Sequence, residues 1–194
     1  MRVKMIQTAD PVRYEPFLRR CSGSNRRFCE LNEFEYQAFL GIKHGGDPWH
    51  ATFNRIDLLH DEIRRGYRGW ILYLDADAYV FDIKFDARRY LAQRENYGLI
   101  ALPVRGPVPT WDINGGILFF NTSNRFGRAI LRRWKALFDI YRYALIYYSP
   151  RVAKAINDQV LLQLVLRMSA RLRESVGWGC RPATHFSHIT SASA

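Results

Sequence analysis

The period of apolar positions changes repeatedly along the chain, and each change predicts an element. Residues 3–9, VKMIQTA, read as a first strand that ends at Asp10-Pro11. Residues 14–32 carry a mostly helical pattern, with a predicted break near Ser22-Gly23-Ser24. Residues 34–39, FEYQAF, alternate apolar and polar as a strand does. His44-Gly45-Gly46-Asp47-Pro48 predicts a loop. Residues 49–65 follow as a helix, with Phe53, Ile56 and Leu59 at helical spacing, and Gly66 and Gly69 bracket its end. Residues 70–74, WILYL, are an unbroken apolar strand. Beyond them the pattern predicts a short helix over 86–94, a strand over 97–104 and a loop over 106–109. A strand over 117–120 and a long helix over 125–141 come next, the latter with Trp134 and Phe138 on its apolar side. The last elements are a helix over 157–168 and short strand or loop over 177–189.

Strands alternating with helices predict an α/β fold, a mostly parallel sheet flanked by helices. The length of 194 residues suits a single domain. We expect that domain to span residues 1–189, with 190–194 as a flexible tail. Hydrophobic residues make up 48% of the chain, enough to fill such a core. No apolar run approaches the roughly 18 residues of a membrane span. Residues 1–10, MRVKMIQTAD, lack the pattern of a secretory signal, so the expected location is cytoplasmic. Cys21, Cys29 and Cys180 form no CxxC pair and predict no disulfide framework.

Charge changes the picture more. The formal net charge is +11, and Arg supplies 24 of the 29 basic residues. Such a balance favours anionic partners: nucleic acid, lipid headgroups or a phosphorylated small molecule. The positives are scattered in pairs such as Arg19-Arg20, Arg64-Arg65 and Arg132-Arg133, several on predicted helices where they would form a solvated face. No recognised nucleic-acid motif accompanies them.

Candidate chemistry begins where the apolar strand 70–74 runs into Asp75-Ala76-Asp77. Ligands of α/β folds sit at the carboxyl ends of strands. In an extended backbone, residues two apart point the same way, so Asp75 and Asp77 would offer oxygens to one spot. Crowded carboxylates repel unless a cation lies between them. A hard divalent ion, Mn²⁺ or Mg²⁺, would remove that repulsion and could take oxygens of a bound diphosphate as well. A surface turn capped by the two Asp residues explains the same spacing. An EF-hand does not, because Tyr79 and Val80 stand where that loop needs an acid or Asn and a Gly. A two-metal phosphoryl-transfer site would want a further carboxylate, for which Asp82 is nearest.

Two further stretches stand out. Asn114-Gly115-Gly116 is predicted to precede a strand, and paired glycines let a ligand approach the backbone closely, or simply make a turn or bulge. Trp111 and Asp112 stand just before them. Asn157-Asp158-Gln159 opens an apolar helix. It would serve either as a cap, with Asn157 as N-cap, or to aim Asp158 and Gln159 into a cleft.

Taken together, TAD at 8–10, FNRIDLL at 53–59, YLDADAYVFD at 73–82, INGGILFFNTS at 113–123 and NDQVLLQ at 157–163 resemble GT-A-fold glycosyltransferases that use nucleotide-sugar donors. The resemblance is to the family of fungal galactosyltransferases and plant xyloglucan xylosyltransferases, and more loosely to glycogenin-type enzymes. It implies a Rossmann-like GT-A fold and transfer of a sugar from a UDP-sugar to a glycan or other hydroxyl acceptor, with retention. Asp75 and Asp77, with Ala76 between them, would hold Mn²⁺ or Mg²⁺ against the donor diphosphate. Thr8, Ala9 and Asp10 would lie along the nucleoside, and Arg55 would help hold the donor. Asn114, Gly115 and Gly116 would line the sugar cleft. Asp158 and Gln159, with Asp112, are the candidate catalytic residues. A His near the carboxyl end would be a further metal ligand, either His185 or His188. The segment after NDQVLLQ is short for this fold. Other readings are a non-enzymatic basic α/β module on nucleic acid or anionic lipid, and a metal-dependent nucleotidyltransferase. Peripheral association with the inner face of a membrane would follow from the basic surface.

Overall fold

The structure, a computed structural model, describes residues 1–104, 110–147, 156–179 and, by backbone alone, 186–188. The expected tail 190–194, the predicted loop at 106–109, Cys180 and His185 lie outside the described residues.

Strand β1 (Val3–Ala9) leads to helix α1 (Glu15–Leu31) and strand β2 (Glu35–Leu40). A 3-10 helix (Pro48–Phe53) runs into α2 (Asn54–Arg64), where the pattern predicted one helix over 49–65. Asp47 starts the 3-10 turn by accepting a hydrogen bond from the Trp49 N–H at 3.1 Å, and Pro48 takes the first position, where no N–H is needed. Strand β3 (Trp70–Asp75) follows, then a turn at Ala76-Asp77, strand β4 (Ala78–Val80) and helix α3 (Ala87–Ala92). The chain continues through β5 (Leu99–Pro103), β6 (Ile113–Asn121), α4 (Arg125–Tyr147), α5 (Asp158–Arg167) and α6 (Ala170–Glu174). It ends in β7 (Val176–Trp178) and β8 (Phe186–His188).

Six strands form one sheet in the order β2-β1-β3-β6-β5-β7. Only β6 is reversed: it runs antiparallel to β3 and β5, while the other neighbouring pairs are parallel. β4 and β8 pair separately, with Ala78 opposite His188. Strand β3 is buried from Trp70 to Leu74 because both sheet faces are covered, as its unbroken apolar run predicts. Ile71 and Tyr73 join a core with Ile56, Leu59, Trp134, Phe138 and Leu162 from α2, α4 and α5. Trp70, Leu72 and Leu74 point the other way, into a core with Phe28, Cys29, Ala87 and Leu91 from α1 and α3.

Three local expectations change. Helix α1 is continuous through Ser22-Gly23-Ser24. Gly23 is exposed and costs the helix about 1 kcal/mol relative to alanine, but buried Asn25 pins the middle turn. Its amide donates to Gln7 Oε1 at 2.8 Å and to the Ala78 carbonyl at 3.0 Å, and its carbonyl oxygen accepts from Val80 N at 2.9 Å. Tertiary anchoring therefore overrides local propensity. Asn114-Gly115-Gly116 lies inside β6 rather than before it. The β5–β6 register jumps there, from Ala101 opposite Leu118 to Leu102 opposite Asn114, so the glycines form a bulge. Neither takes a positive φ. Helix α4 runs six residues past its expected end at residue 141.

Candidate active site

A cleft of about 370 Å³ opens over the carboxyl ends of β1 and β3. Thr8, Ala9 and Asp10 form one wall, and Asp75, Ala76 and Asp77 another. Pro48, Trp49, Ala51 and Thr52 of the 3-10 helix lie across from them, with Tyr14, Arg55, Tyr73 and Asn157 completing the lining. Seven of the site residues expected from the resemblance, and Asn157 beside them, are thus brought together. The turn at Ala76-Asp77 corrects one premise: the two carboxylates reach the same cleft through a bend, not by alternation along an extended strand.

Arg55 occupies the centre, and its surroundings follow from its position in the first turn of α2. Its Nη2 lies 2.7 Å from Asp75 Oδ1 and its Nε 3.0 Å from Asp158 Oδ2. Its Nη1 donates to the Gly115 carbonyl at 2.6 Å, and its guanidinium sits 4.5 Å from the centre of the Tyr73 ring. Burial works against its charge, but Asp158 and Asp75 outweigh burial and hold its pKa above the usual value. One guanidinium thereby ties together the three stretches that drew attention in the sequence.

The remaining predicted residues form a layer behind the cleft. Asp158 is buried, and Thr52 Oγ1 donates to its Oδ1. Its Oδ2 has no hydrogen-bond partner among the described residues, although Arg55 lies beside it. Asn157 caps α5, accepting from Val160 N at 2.9 Å. Gln159 Oε1 accepts from Gly115 N at 2.8 Å, and Asn114 Oδ1 accepts from Gly116 N at 2.7 Å. Asp112 Oδ1 accepts from Gln163 Nε2 at 3.0 Å. A Cβ at position 115 would lie 3.3 Å from Gln159 and 3.4 Å from Arg55, so glycine there allows the β6 backbone to close on both. Asp10 accepts the N–H groups of Val12, Arg13 and Tyr14 at 2.8, 2.6 and 3.1 Å, fixing the turn into α1.

Asp75 keeps about a third of its side chain exposed to the cleft. Its Oδ1 is taken by Arg55 and by the Tyr73 hydroxyl at 3.1 Å. Burial raises its pKa, Arg55 pulls it down, and Asp158 and Asp77 push it up again. Burial and then the carboxylates of Asp77, Asp75 and Asp10 also raise the pKa of Tyr14. Despite the positive chain, three carboxylates and one guanidinium face the cleft. Its donors are hard oxygens, the set that suits Mn²⁺ or Mg²⁺. Among the described residues no three His, Cys, Asp or Glu side chains come together as a metal site. His188 pairs by its backbone with Ala78, the residue after Asp77; His185 lies outside the described residues.

Sequence reasoning missed Tyr14, Trp49, Thr52 and Tyr73 as lining residues. The loop ending Asp47-Pro48 was the available signal, because it delivers the next residues to the strand ends.

No protein-family profile matches the chain, and no curated protein matches its sequence. Solved structures do. A glycosyltransferase involved in glycosylation of the major capsid of PBCV-1 superposes with a TM-score of 0.67 at 13% identity, covering 98% of this chain and 94% of its own. The chain has the GT-A glycosyltransferase fold. The glycosyltransferase GlyE of Streptococcus pneumoniae gives a TM-score of 0.57 at 16% identity over 95% of this chain, which spans only 46% of GlyE. A mutant Drosophila β1,4-galactosyltransferase 7, in complex with manganese, UDP-Gal and xylobiose, gives 0.51 at 12% identity, covering 100% of this chain and 73% of its own.

Two histidines, one in the 3-10 helix and one in α2, carry a pH dependence of stability. His50, in the 3-10 helix, is buried and accepts from Asp47 N at 3.1 Å through Nδ1. Burial lowers its pKa from 6.5, and burial also lowers that of His60. Well above pH 6.5 both are neutral in either state. As pH falls through that value the unfolded chain takes the protons first, so stability is lost. The melting temperature should therefore drop between pH 7 and 5. His50→Asn, whose Oδ1 can replace Nδ1 as acceptor, should flatten the drop; an unchanged slope would remove His50 from the account.

Proposed function

We propose that the protein is a metal-dependent glycosyltransferase. It would move a sugar, hexosyl or pentosyl, from a nucleoside diphosphate sugar to a hydroxyl acceptor on a glycan, with UDP as the nucleotide and retention at the anomeric centre. One observation carries the reading: the cleft at the strand ends is lined by Asp10, Asp75 and Asp77 with Arg55 as the one cation among its lining residues, and Arg55 is already engaged by two carboxylates. A bare diphosphate would be repelled there, whereas a divalent cation would be drawn in and make the site acceptable to it.

Asp75 and Asp77 are the residues proposed to hold that cation. His188, whose backbone pairs with Ala78 beside Asp77, or His185 is proposed as the further ligand. When bound, the metal would supply Lewis-acid stabilisation of the negative charge left on the departing nucleoside diphosphate. Thr8, Ala9 and Asp10 would flank the nucleoside, and Trp49 offers an apolar ring across the cleft from them. Arg55 would act chiefly by holding Asp75, Asp158 and the Gly115 carbonyl in fixed relation. Asp158, Gln159 and Asp112 are retained as the candidate catalytic groups around the β6 bulge, with Asn114 and Gly116 shaping it. The UDP-Gal and xylobiose bound by the Drosophila enzyme are consistent with this donor and acceptor class.

The test is a thermal-shift screen of nucleotide sugars with and without Mn²⁺. A cognate donor should raise the melting temperature only with the metal present, by an amount equivalent to about 2.7 kcal/mol at a hundredfold excess over its Kd. Turnover should release free nucleoside diphosphate; released pyrophosphate would indicate nucleotidyl transfer instead. Stabilisation indifferent to EDTA would defeat the proposal.

A further inference from the structure

Helix α4 buries Ile130, Leu131, Trp134, Phe138 and Leu145 and turns its opposite face to solvent. At 3.6 residues per turn, Arg125, Arg132, Ala136, Ile140, Tyr143 and Tyr147 fall within roughly a quarter-turn of one another on that face. The three large apolar members are strongly exposed: Ile140 at 73%, Tyr143 at 66% and Tyr147 at 70%. The Tyr143 and Tyr147 rings touch, with centroids 5.2 Å apart.

The other half of the helix is basic. Arg128 Nη1 and Arg68 Nη1 both donate to the Thr122 carbonyl. Arg68 and Arg132 together lower the pKa of Arg128 beyond what its own burial does. Arg132 and Arg133 are exposed and have no ion pair among the described residues. The helix holds six basic residues and one acidic, and that one, Asp139, is matched by Lys135 at 2.5 and 2.6 Å. The cluster of Arg68, Arg128, Arg132 and Arg133 thus presents a net positive patch complementary to an external anion.

We propose that this face of α4 is a docking surface for an anionic lipid bilayer, with the arginines on headgroup phosphates and Ile140, Tyr143 and Tyr147 at the boundary with the acyl chains. Arginines near exposed aromatic and aliphatic side chains suit an anionic bilayer, the cations at the headgroups and the apolar groups at the interface. Tyrosine favours the headgroup level, and the aliphatic Ile140 gains from the acyl boundary but not from a nucleic-acid backbone. No described helix is long and apolar enough to cross a membrane, so the contact is with the surface. The aromatic end of α4 also packs on the loop before the 3-10 helix: a Cβ at Gly45 would lie 2.9 Å from Ile146 Cγ2. The inference does not depend on the donor reading.

Co-sedimentation of the full chain with sucrose-loaded vesicles tests it, comparing pure phosphatidylcholine with phosphatidylcholine containing about one-third phosphatidylglycerol. The protein should bind the anionic vesicles at least about tenfold more tightly than the neutral ones. The exposed triple variant Ile140→Ser/Tyr143→Ser/Tyr147→Ser should lose about tenfold or more in that affinity while its melting temperature stays close to the parent's. Arg132→Gln/Arg133→Gln should lose affinity at low salt and little at high salt. Equal binding to neutral and anionic vesicles, or unchanged affinity in the triple variant, would overturn the proposal. So would a dimer in the parent that sedimentation shows the triple variant to abolish, because the face would then join two copies.

Discussion

Arg55→Met should cost about 3–5 kcal/mol of stability, the usual penalty for removing one partner of a buried ionic cluster. The reason lies in what the guanidinium leaves behind. Asp158 is 4% exposed and would keep only Thr52 as a partner, with its Oδ2 facing no positive charge. The Gly115 carbonyl would lose a 2.6 Å hydrogen bond in a bulge where no strand partner replaces it. Asp75 would suffer less, because its side chain reaches solvent in the cleft. Urea melts should show the loss as a lower midpoint with an unchanged slope. Adding Asp158→Asn to Arg55→Met removes the stranded charge and should recover a substantial part of it, a coupling on the order of 0.5–3 kcal/mol. Arg55→Lys should fall between, since an ammonium cannot span Asp75, Asp158 and Gly115 as a planar fork does. A single variant that melts within about 1 kcal/mol of the parent would show that the cluster is not the keystone described.

Arg55 also shows how far a sequence can be read. An unbroken apolar run located β3, because a strand buried on both faces must be nearly continuous in Val, Ile, Leu and aromatics, whereas the edge strand β2 was located by its alternation. The reversed direction of β6 was invisible, since direction depends on connections and not on residue type. Asp75 and Asp77 stood out because a carboxylate at the end of such a run needs a reason. Thr52 and Trp49 did not stand out, because a 3-10 turn packed over a cleft resembles the start of an ordinary helix. The three motifs could be recognised separately and in order. That one arginine joins them could not be, because Arg55, Asp75, Gly115 and Asp158 are distant in sequence and nothing in their spacing encodes contact. The same limit explains α1: Ser22-Gly23-Ser24 looks like a break until Asn25 is seen to bond across to β4.

The sharpest test of metal binding should come from Asp77→Asn. In the free protein burial comes first, and the Asp77 carboxylate adds to the upward push on the pKa values of Asp75, Tyr14 and Cys21. The effect of the variant is to be read with Mn²⁺ and UDP present. Asp77 is half-buried in the cleft wall and supplies one of its two proposed metal-holding carboxylates, so its amide should erase the metal-dependent thermal shift. Turnover of the cognate donor should fall by more than about a hundredfold, in keeping with the several kcal/mol that a metal on a leaving group contributes. Asp75→Asn should behave differently, losing both the shift and part of the resting stability, because Asp75 also answers Arg55 at 2.7 Å. The contrast between the two variants distinguishes a metal-holding pair from two structural carboxylates. If Asp77→Asn keeps a full Mn²⁺-dependent shift with UDP, the cation is not held at this turn and the transferase reading loses its basis.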